Sequence, residues 1–151
     1  MKTKASCGIS TRTFARVFGS SEAGGAPATA TLPYPGIATD YMPLLVAALS
    51  VADGAGIVTE NIFSGRFRYI DELVRMGADI RTDAHHAIVR GRPDLSGAPV
   101  RAPDIRAGAA LVIAGLRADG ETVVRDAHHI ARGYEDLVGK LAALGADISA
   151  D

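Results

Sequence analysis

One structural unit is written twice in this chain, and that repeat limits the folds available to it. The first copy runs from Asp53-Gly54 through Ile57-Val58-Thr59 and Arg66 to Leu73 and Gly77-Ala78-Asp79-Ile80. The second runs from Asp119-Gly120 through Thr122-Val123-Val124 and Arg132 to Leu141 and Gly145-Ala146-Asp147-Ile148. Each copy follows an apolar run, and in each the arginine stands twelve residues after the glycine of its Asp-Gly pair. Loop spacing normally drifts, so an arginine held at one loop position points to a site.

The 151 residues are one domain by size, enough to bury about 68 to 70% of the surface of the unfolded chain. With 16 Lys+Arg against 17 Asp+Glu and no basic run, nothing attracts a nucleic acid or a membrane surface, so any bound anion must be small and met locally. A single cysteine, Cys7, excludes an internal disulfide framework and fits a reducing compartment. No stretch reaches the roughly 18 apolar residues of a membrane span, and no secretory signal opens the chain. A cytoplasmic protein is expected.

Residues 1–31 differ from the rest: Ser, Thr, Gly and Ala dominate and no acidic residue precedes Glu22. They read as a disordered or loosely attached tail, although the acid-poor start also fits a transit peptide. Order is expected from the Pro33-Tyr34-Pro35-Gly36 turn, with Thr39-Asp40 capping an apolar helix over 41–52. A strand over 57–63, a loop at Arg66 and a helix over 69–76 follow. Paired strands are expected at 78–82 and 87–90, and a short strand at 100–102. The pattern then restarts: Asp104 opens a helix to Ala118, with a strand over 122–126, a helix over 134–144 and a closing strand over 146–149.

The helices fall into two classes. The segment 107–116 is apolar or small all round and 44–49 nearly so, whereas 134–144 carries Glu135, Asp136 and Lys140 on one face. Helices without a polar face are interior ones. Each repeat therefore supplies one interior and one surface helix, giving an α/β fold with helices inside and sheets outside.

Four ordered segments resemble the C-terminal part of the enolpyruvyl transferases that act on UDP-N-acetylglucosamine. They are Pro35-Gly36-Ile37-Ala38-Thr39-Asp40, Thr59-Glu60-Asn61-Ile62-Phe63 with Arg66-Phe67, Ala102-Pro103-Asp104-Ile105-Arg106-Ala107, and His129-Ile130 with Arg132-Gly133-Tyr134. The resemblance covers about 32–151. It implies transfer of the enolpyruvyl group of phosphoenolpyruvate to the 3'-hydroxyl of UDP-N-acetylglucosamine, with release of phosphate, in peptidoglycan synthesis. It also implies two inside-out α/β barrels of three βαβαββ units each, of which this chain holds two units of one barrel (about 37–91 and 100–151). The other barrel and its catalytic cysteine loop are missing, and Cys7 does not replace that loop.

Phosphoenolpyruvate carries a carboxylate and a phosphate, which planar arginine forks match well. Arg66, Arg106 and Arg132 are the candidates. Arg106 opposes a helix dipole, a penalty that a bound anion would reverse, but the residues alone favour a surface arginine paired with Asp104 or with another carboxylate. The resemblance implies phosphoenolpyruvate contacts for Arg106 and Arg132; for Arg66, substrate contact and packing across the cleft stay open. Asp40 reads locally as a helix cap, while the resemblance implies that it accepts a hydrogen bond from the attacking hydroxyl and removes its proton or positions it. Asp104 has the same cap reading, with a second role in orienting an arginine. Ile62 reads as strand core, and the resemblance gives its main chain a sugar-nucleotide contact.

The pairs His85-His86 and His128-His129 lie where an extended segment would send adjacent rings to opposite faces, and no cysteine or carboxylate cluster completes a metal set. No metal or cofactor is expected. No phosphate-binding glycine loop precedes a helix. Two rival readings stand beside the first: the sister activity on shikimate 3-phosphate, and a non-catalytic binding or structural remnant. The expected partners are the two small substrates and the missing barrel. A truncated barrel also exposes interior helix faces, which favours self-association.

Overall fold

The computed structural model describes residues 1–4, 28–63 and 65–150. Their strands form two four-stranded sheets of the same design. In one, β2 (Ala28–Ala30) runs parallel to β3 (Ala55–Thr59), which pairs antiparallel with β5 (His86–Arg90), which pairs antiparallel with β4 (Asp79–Asp83). In the other, β6 (Pro99–Arg101) is parallel to β7 (Glu121–Arg125), which pairs antiparallel with β1 (Lys2–Lys4), which pairs antiparallel with β8 (Asp147–Ser149). Both sheets are mixed, and each parallel pair is joined through a helix, as parallel strands require.

Those crossover helices are α1 (Met42–Leu49) and α3 (Ile105–Arg117), and they pack against each other. Close approach follows from their small residues: Ala47, Ala107, Gly108, Ala109, Ala110 and Ala114 are all buried. Gly108 shows how tight this is, since a Cβ there would lie 2.6 Å from Cγ1 of Ile130 and 3.0 Å from Cβ of Ala102. The second helices of the two units are less enclosed. α2 (Arg68–Arg75) buries Tyr69, Ile70 and Leu73, while α5 (Leu137–Ala143) buries none of its residues.

Glycine ends α2 and α5 in the same way. Gly77 (φ 92°) and Gly145 (φ 93°) take the left-handed conformation that lets the next amide turn back to the helix. Ala78 N–H donates to the Leu73 carbonyl, and Ala146 N–H to the Leu141 carbonyl, each at 3.0 Å.

Several boundaries differ from expectation. The first helix begins only after a single 3₁₀ turn, Thr39–Tyr41, and neither residue of Thr39-Asp40 caps it by its side chain. The strand expected over 57–63 stops at Thr59, because Glu60 turns inward. The helix expected over 134–144 begins only at Leu137 as α5, after Asp136 at φ 45° accepts from the Gly139 N–H, and a separate short helix that was not expected, α4 (His128–Ala131), precedes it. The expected tail is ordered at both ends: β1 and β2 are strands of the two sheets. Cys7 and the glycine-rich segment around 24–27 lie outside the described residues.

The histidine rings do not point apart. His85 and His86 have centroids 4.1 Å apart, as do His128 and His129, because the first pair spans a tight turn and the second is helical. Among the described residues, no group of three or more His, Cys, Asp or Glu could hold a metal ion. No helix among them is long and apolar enough to cross a membrane.

Candidate active site

Asp40 is where the two units meet. Its Oδ1 accepts from Nη2 of Arg66 at 2.7 Å, and its Oδ2 from Nε of Arg106 at 3.4 Å. Arg66 follows β3 in the first unit, and Arg106 lies in the first turn of α3 in the second. The penalty of a cation at a helix N-terminus is offset here by a carboxylate from the other unit. The Arg66 hydrogen bond does most to hold the Asp40 carboxyl below its ordinary range; partial burial opposes it and Arg106 reinforces it. A carboxylate so depressed is a weak base at neutral pH.

Each guanidinium also rests against a ring. Arg66 Cζ lies 5.4 Å from the centroid of Phe63, and Arg106 Cζ 5.3 Å from that of Tyr134. Contacts of this kind contribute about 0.5 to 1 kcal/mol at exposed sites. Tyr134 reaches Arg106 because Gly133 permits close passage: a Cβ at Gly133 would stand 2.4 Å from Cγ2 of Ile105.

Behind this pair lies a carboxylate that the sequence reading passed over. Glu60 is 4% exposed and accepts four hydrogen bonds. They come from the hydroxyls of Thr31 (2.9 Å) and Thr39 (2.5 Å) and the N–H groups of Ile62 (2.9 Å) and Phe63 (3.2 Å). Burial works to raise its pKa, but the bonds from Thr39, Ile62, Thr31 and Phe63 outweigh that and lower it. Thr39 in turn accepts from Nη1 of Arg66 at 2.9 Å. Nearby Tyr69, 1% exposed, has a hydroxyl with no hydrogen-bond partner among the described residues. Burial first and the charge of Glu60 second push its phenol well above the ordinary range.

The expected site residues separate accordingly. Asp40, Arg66 and Arg106 converge. Arg106 pairs with another carboxylate, Asp40, and not with Asp104; the Asp104 carboxylate caps α3, accepting from the Ala107 N–H at 2.8 Å. Ile62 is 41% exposed, not strand core, and lies beside the cluster through its N–H bond to Glu60. Arg132 is exposed, has no ion pair among the described residues, and sits next to the Gly133-Tyr134 corner that touches Arg106. Thr39, Glu60, Phe63 and Tyr134 were not picked out as site residues. The Thr-Glu-Asn at the end of a strand was the one available signal, since a carboxylate there needs several donors.

Residues 4–141 match the EPSP synthase (3-phosphoshikimate 1-carboxyvinyltransferase) family. UDP-N-acetylglucosamine 1-carboxyvinyltransferase of Mycolicibacterium paratuberculosis is 59% identical over 119 residues, 79% of this chain and 28% of that protein. The protein of the same name from Caldanaerobacter subterraneus, numbered 2, is 57% identical over 118 residues, 78% of this chain and 28% of its own length. The chain thus spans little more than a quarter of these relatives. Among solved structures, the enolpyruvyl transferase NikO from Streptomyces tendae superposes with a TM-score of 0.74 at 36% identity, covering 82% of this chain and 29% of that one. EPSP synthase from Acinetobacter baumannii shares the fold, with a TM-score of 0.60 at 22% identity over 72% of this chain and 28% of that one. With its doubled mixed sheets and its match along nearly the whole length, the chain belongs to the EPSP synthase family of enolpyruvyl transferases.

Proposed function

We propose that this chain is the C-terminal portion of a cytoplasmic enzyme that moves the enolpyruvyl group of phosphoenolpyruvate to the 3'-hydroxyl of UDP-N-acetylglucosamine in peptidoglycan synthesis. It supplies one wall of the site, as two of the three units of an inside-out barrel. The observation that carries the reading is the grip of Arg66 and Arg106, from different units, on the single carboxylate of Asp40. Two guanidinium forks suit a ligand bearing both a carboxylate and a phosphate.

Asp40 then works as a positioning group as much as a base. In the free chain its oxygens are occupied by the arginines. A phosphoenolpyruvate anion that draws the guanidinium groups toward itself frees Asp40 to accept the sugar hydroxyl and raises its basicity as they withdraw. Arg132, exposed beside Tyr134, is a third cation within the same wall. Because the Ile62 N–H is committed to Glu60, a main-chain contact to the sugar nucleotide falls to its carbonyl. Asp104 keeps the first turn of α3, and with it Arg106, in place.

A wall alone is not a catalyst, so the chain by itself is expected to be inactive. Ile113 is 43% exposed on α3, whose neighbouring residues are buried, and this face suits the third unit or a second copy. The test is phosphate release from phosphoenolpyruvate with the chain mixed with the missing portion of an 1-carboxyvinyltransferase relative. Release should require both pieces and UDP-N-acetylglucosamine. Release with shikimate 3-phosphate alone would transfer the reading to the sister activity, and no release with a folded mixture would favour a non-catalytic remnant.

A further inference from the structure

We propose that Glu60 is a positioning residue for Arg66: without touching it, the Glu60 carboxylate fixes both supports that hold that guanidinium, the Thr39 hydroxyl and the Phe63 ring. The substrate role of Arg66 rests on the function proposed above, but the positioning of Arg66 does not.

A hydroxyl has one proton and two lone pairs. Facing an ionised carboxylate, which only accepts, Thr39 must spend its proton on Glu60. Its lone pairs are then turned toward Nη1 of Arg66, which can only donate. The direction of the whole chain, Arg66 to Thr39 to Glu60, is thus set at its buried end. Thr31 repeats the logic: its hydroxyl donates to Glu60 Oε1 and accepts from the Asn61 N–H at 2.7 Å. Together with the Ile62 and Phe63 amides, these donors bind the segment 60–63 around one carboxylate. Phe63, whose ring faces Arg66, is placed by that segment.

Arg66 is therefore held at Nη1 by Thr39, at Nη2 by Asp40 and on one face by Phe63. Two of these three supports trace to Glu60. Burial makes the arrangement specific, because a group with 4% exposure cannot exchange its four donors for water. A neutral side chain of the same shape would keep the volume but present an N–H₂ donor toward Thr39. The threonine lone pairs would then be shared, and Arg66 would lose its hold at Nη1.

Nitrogen-15 NMR of the Arg66 guanidinium in the full chain tests this, with Arg66→Lys to assign the signals. In the native chain the two Nη groups should give separate resonances, because both are anchored. Glu60→Gln should merge or broaden them while the remaining amide spectrum stays dispersed. Thr39→Val should do the same and Thr39→Ser should not, which decides the matter even where Glu60→Gln fails to fold. Separate, native-like Arg66 resonances in Glu60→Gln or in Thr39→Val would overturn the proposal. Phosphoenolpyruvate added to the native chain in the same experiment reports on the functional reading independently: no change at Arg66 would count against the substrate role and leave the Glu60 comparison standing.

Discussion

Gly133→Ala offers the sharpest test of how the second unit is fitted to the site. A methyl group at Gly133 would stand 2.4 Å from Cγ2 of Ile105 and 3.6 Å from Nη1 of Arg106. Carbon atoms settle at about 3.5 to 4.0 Å, so the loop and the start of α3 must part by about 1 Å or more. Overpacking of this kind typically costs about 1 to 3 kcal/mol. Gly133 has no positive φ among the backbone exceptions, so alanine also gains about 0.4 to 1 kcal/mol by restricting the unfolded chain. The net loss should fall between about 0 and 2.6 kcal/mol. Ile105→Ala removes the opposing methyl; Ile105 is only half-buried, so its own cost should fall below the roughly 2 to 5 kcal/mol of a fully buried site. If the clash is the cause, the double variant should be about 1 to 2 kcal/mol more stable than the sum of the singles predicts. Urea unfolding of the four proteins, followed by circular dichroism, measures this. Additivity within about 0.5 kcal/mol would refute the proposed contact and, with it, the account of how Tyr134 is brought to Arg106.

Three other outcomes follow from the same geometry. Asp40 has its pKa lowered from 3.8, so its contribution to stability is fully present above that value and is lost as pH falls through the lower, folded value. The stability difference between native and Asp40→Asn should therefore be constant near neutrality and close below about pH 4; a gap that persists in acid would show that the carboxylate charge is not what binds the arginines. Tyr69→Phe deletes a buried hydroxyl without a partner among the described residues and should stabilise by up to about 1 kcal/mol, given the roughly 1 to 3 kcal/mol cost of such groups, whereas clear destabilisation in thermal unfolding would reveal a bond that the hydroxyl makes. Deleting Met1–Lys4 removes the strand between β7 and β8, and with it the Met1 carbonyl that accepts from the Val124 N–H at 2.8 Å, and should speed amide exchange at Val124 more than at Val58 or Val89; uniform exchange across both sheets would contradict the pairing.

The elements most legible from sequence were those set by local chemistry. Asp104 is followed by a continuous run of small and apolar residues, and α3 begins one residue later with Asp104 as its cap. Gly77 and Gly145 mark helix ends by the conformation they alone adopt readily. What stayed hidden was long-range. Thr39-Asp40 carries an N-cap pattern, yet both side chains are claimed by partners more than twenty residues away, Glu60, Arg66 and Arg106, whose bonds involve charge and so outweigh a neutral cap. Asp136 could not be foreseen as a break within 134–144, because a left-handed aspartate is an exception that its own side chain, bonded to Gly139, makes tolerable.

The repeat explains the site better once the sheets are compared. The first unit reads strand, helix, strand, helix, strand, strand, whereas the second reads strand, helix, strand, two short helices, strand. The place that β5 takes between β3 and β4 is taken by β1 between β7 and β8. The symmetry holds for backbone and fails for side chains. Arg66 and Arg132 occupy matching positions, yet Arg66 turns to Asp40 while Arg132 stays exposed, and the cation that meets Asp40 from the second unit is Arg106. The difference lies in what precedes each arginine. In the first unit Glu60 gathers 60–63 into a fixed support behind Arg66. The corresponding stretch of the second unit instead begins with Asp126 (φ 57°), which pairs with Arg101, and leads into α4. A doubled scaffold thus yields one asymmetric site, and the buried carboxylate of Glu60 is the residue that breaks the symmetry.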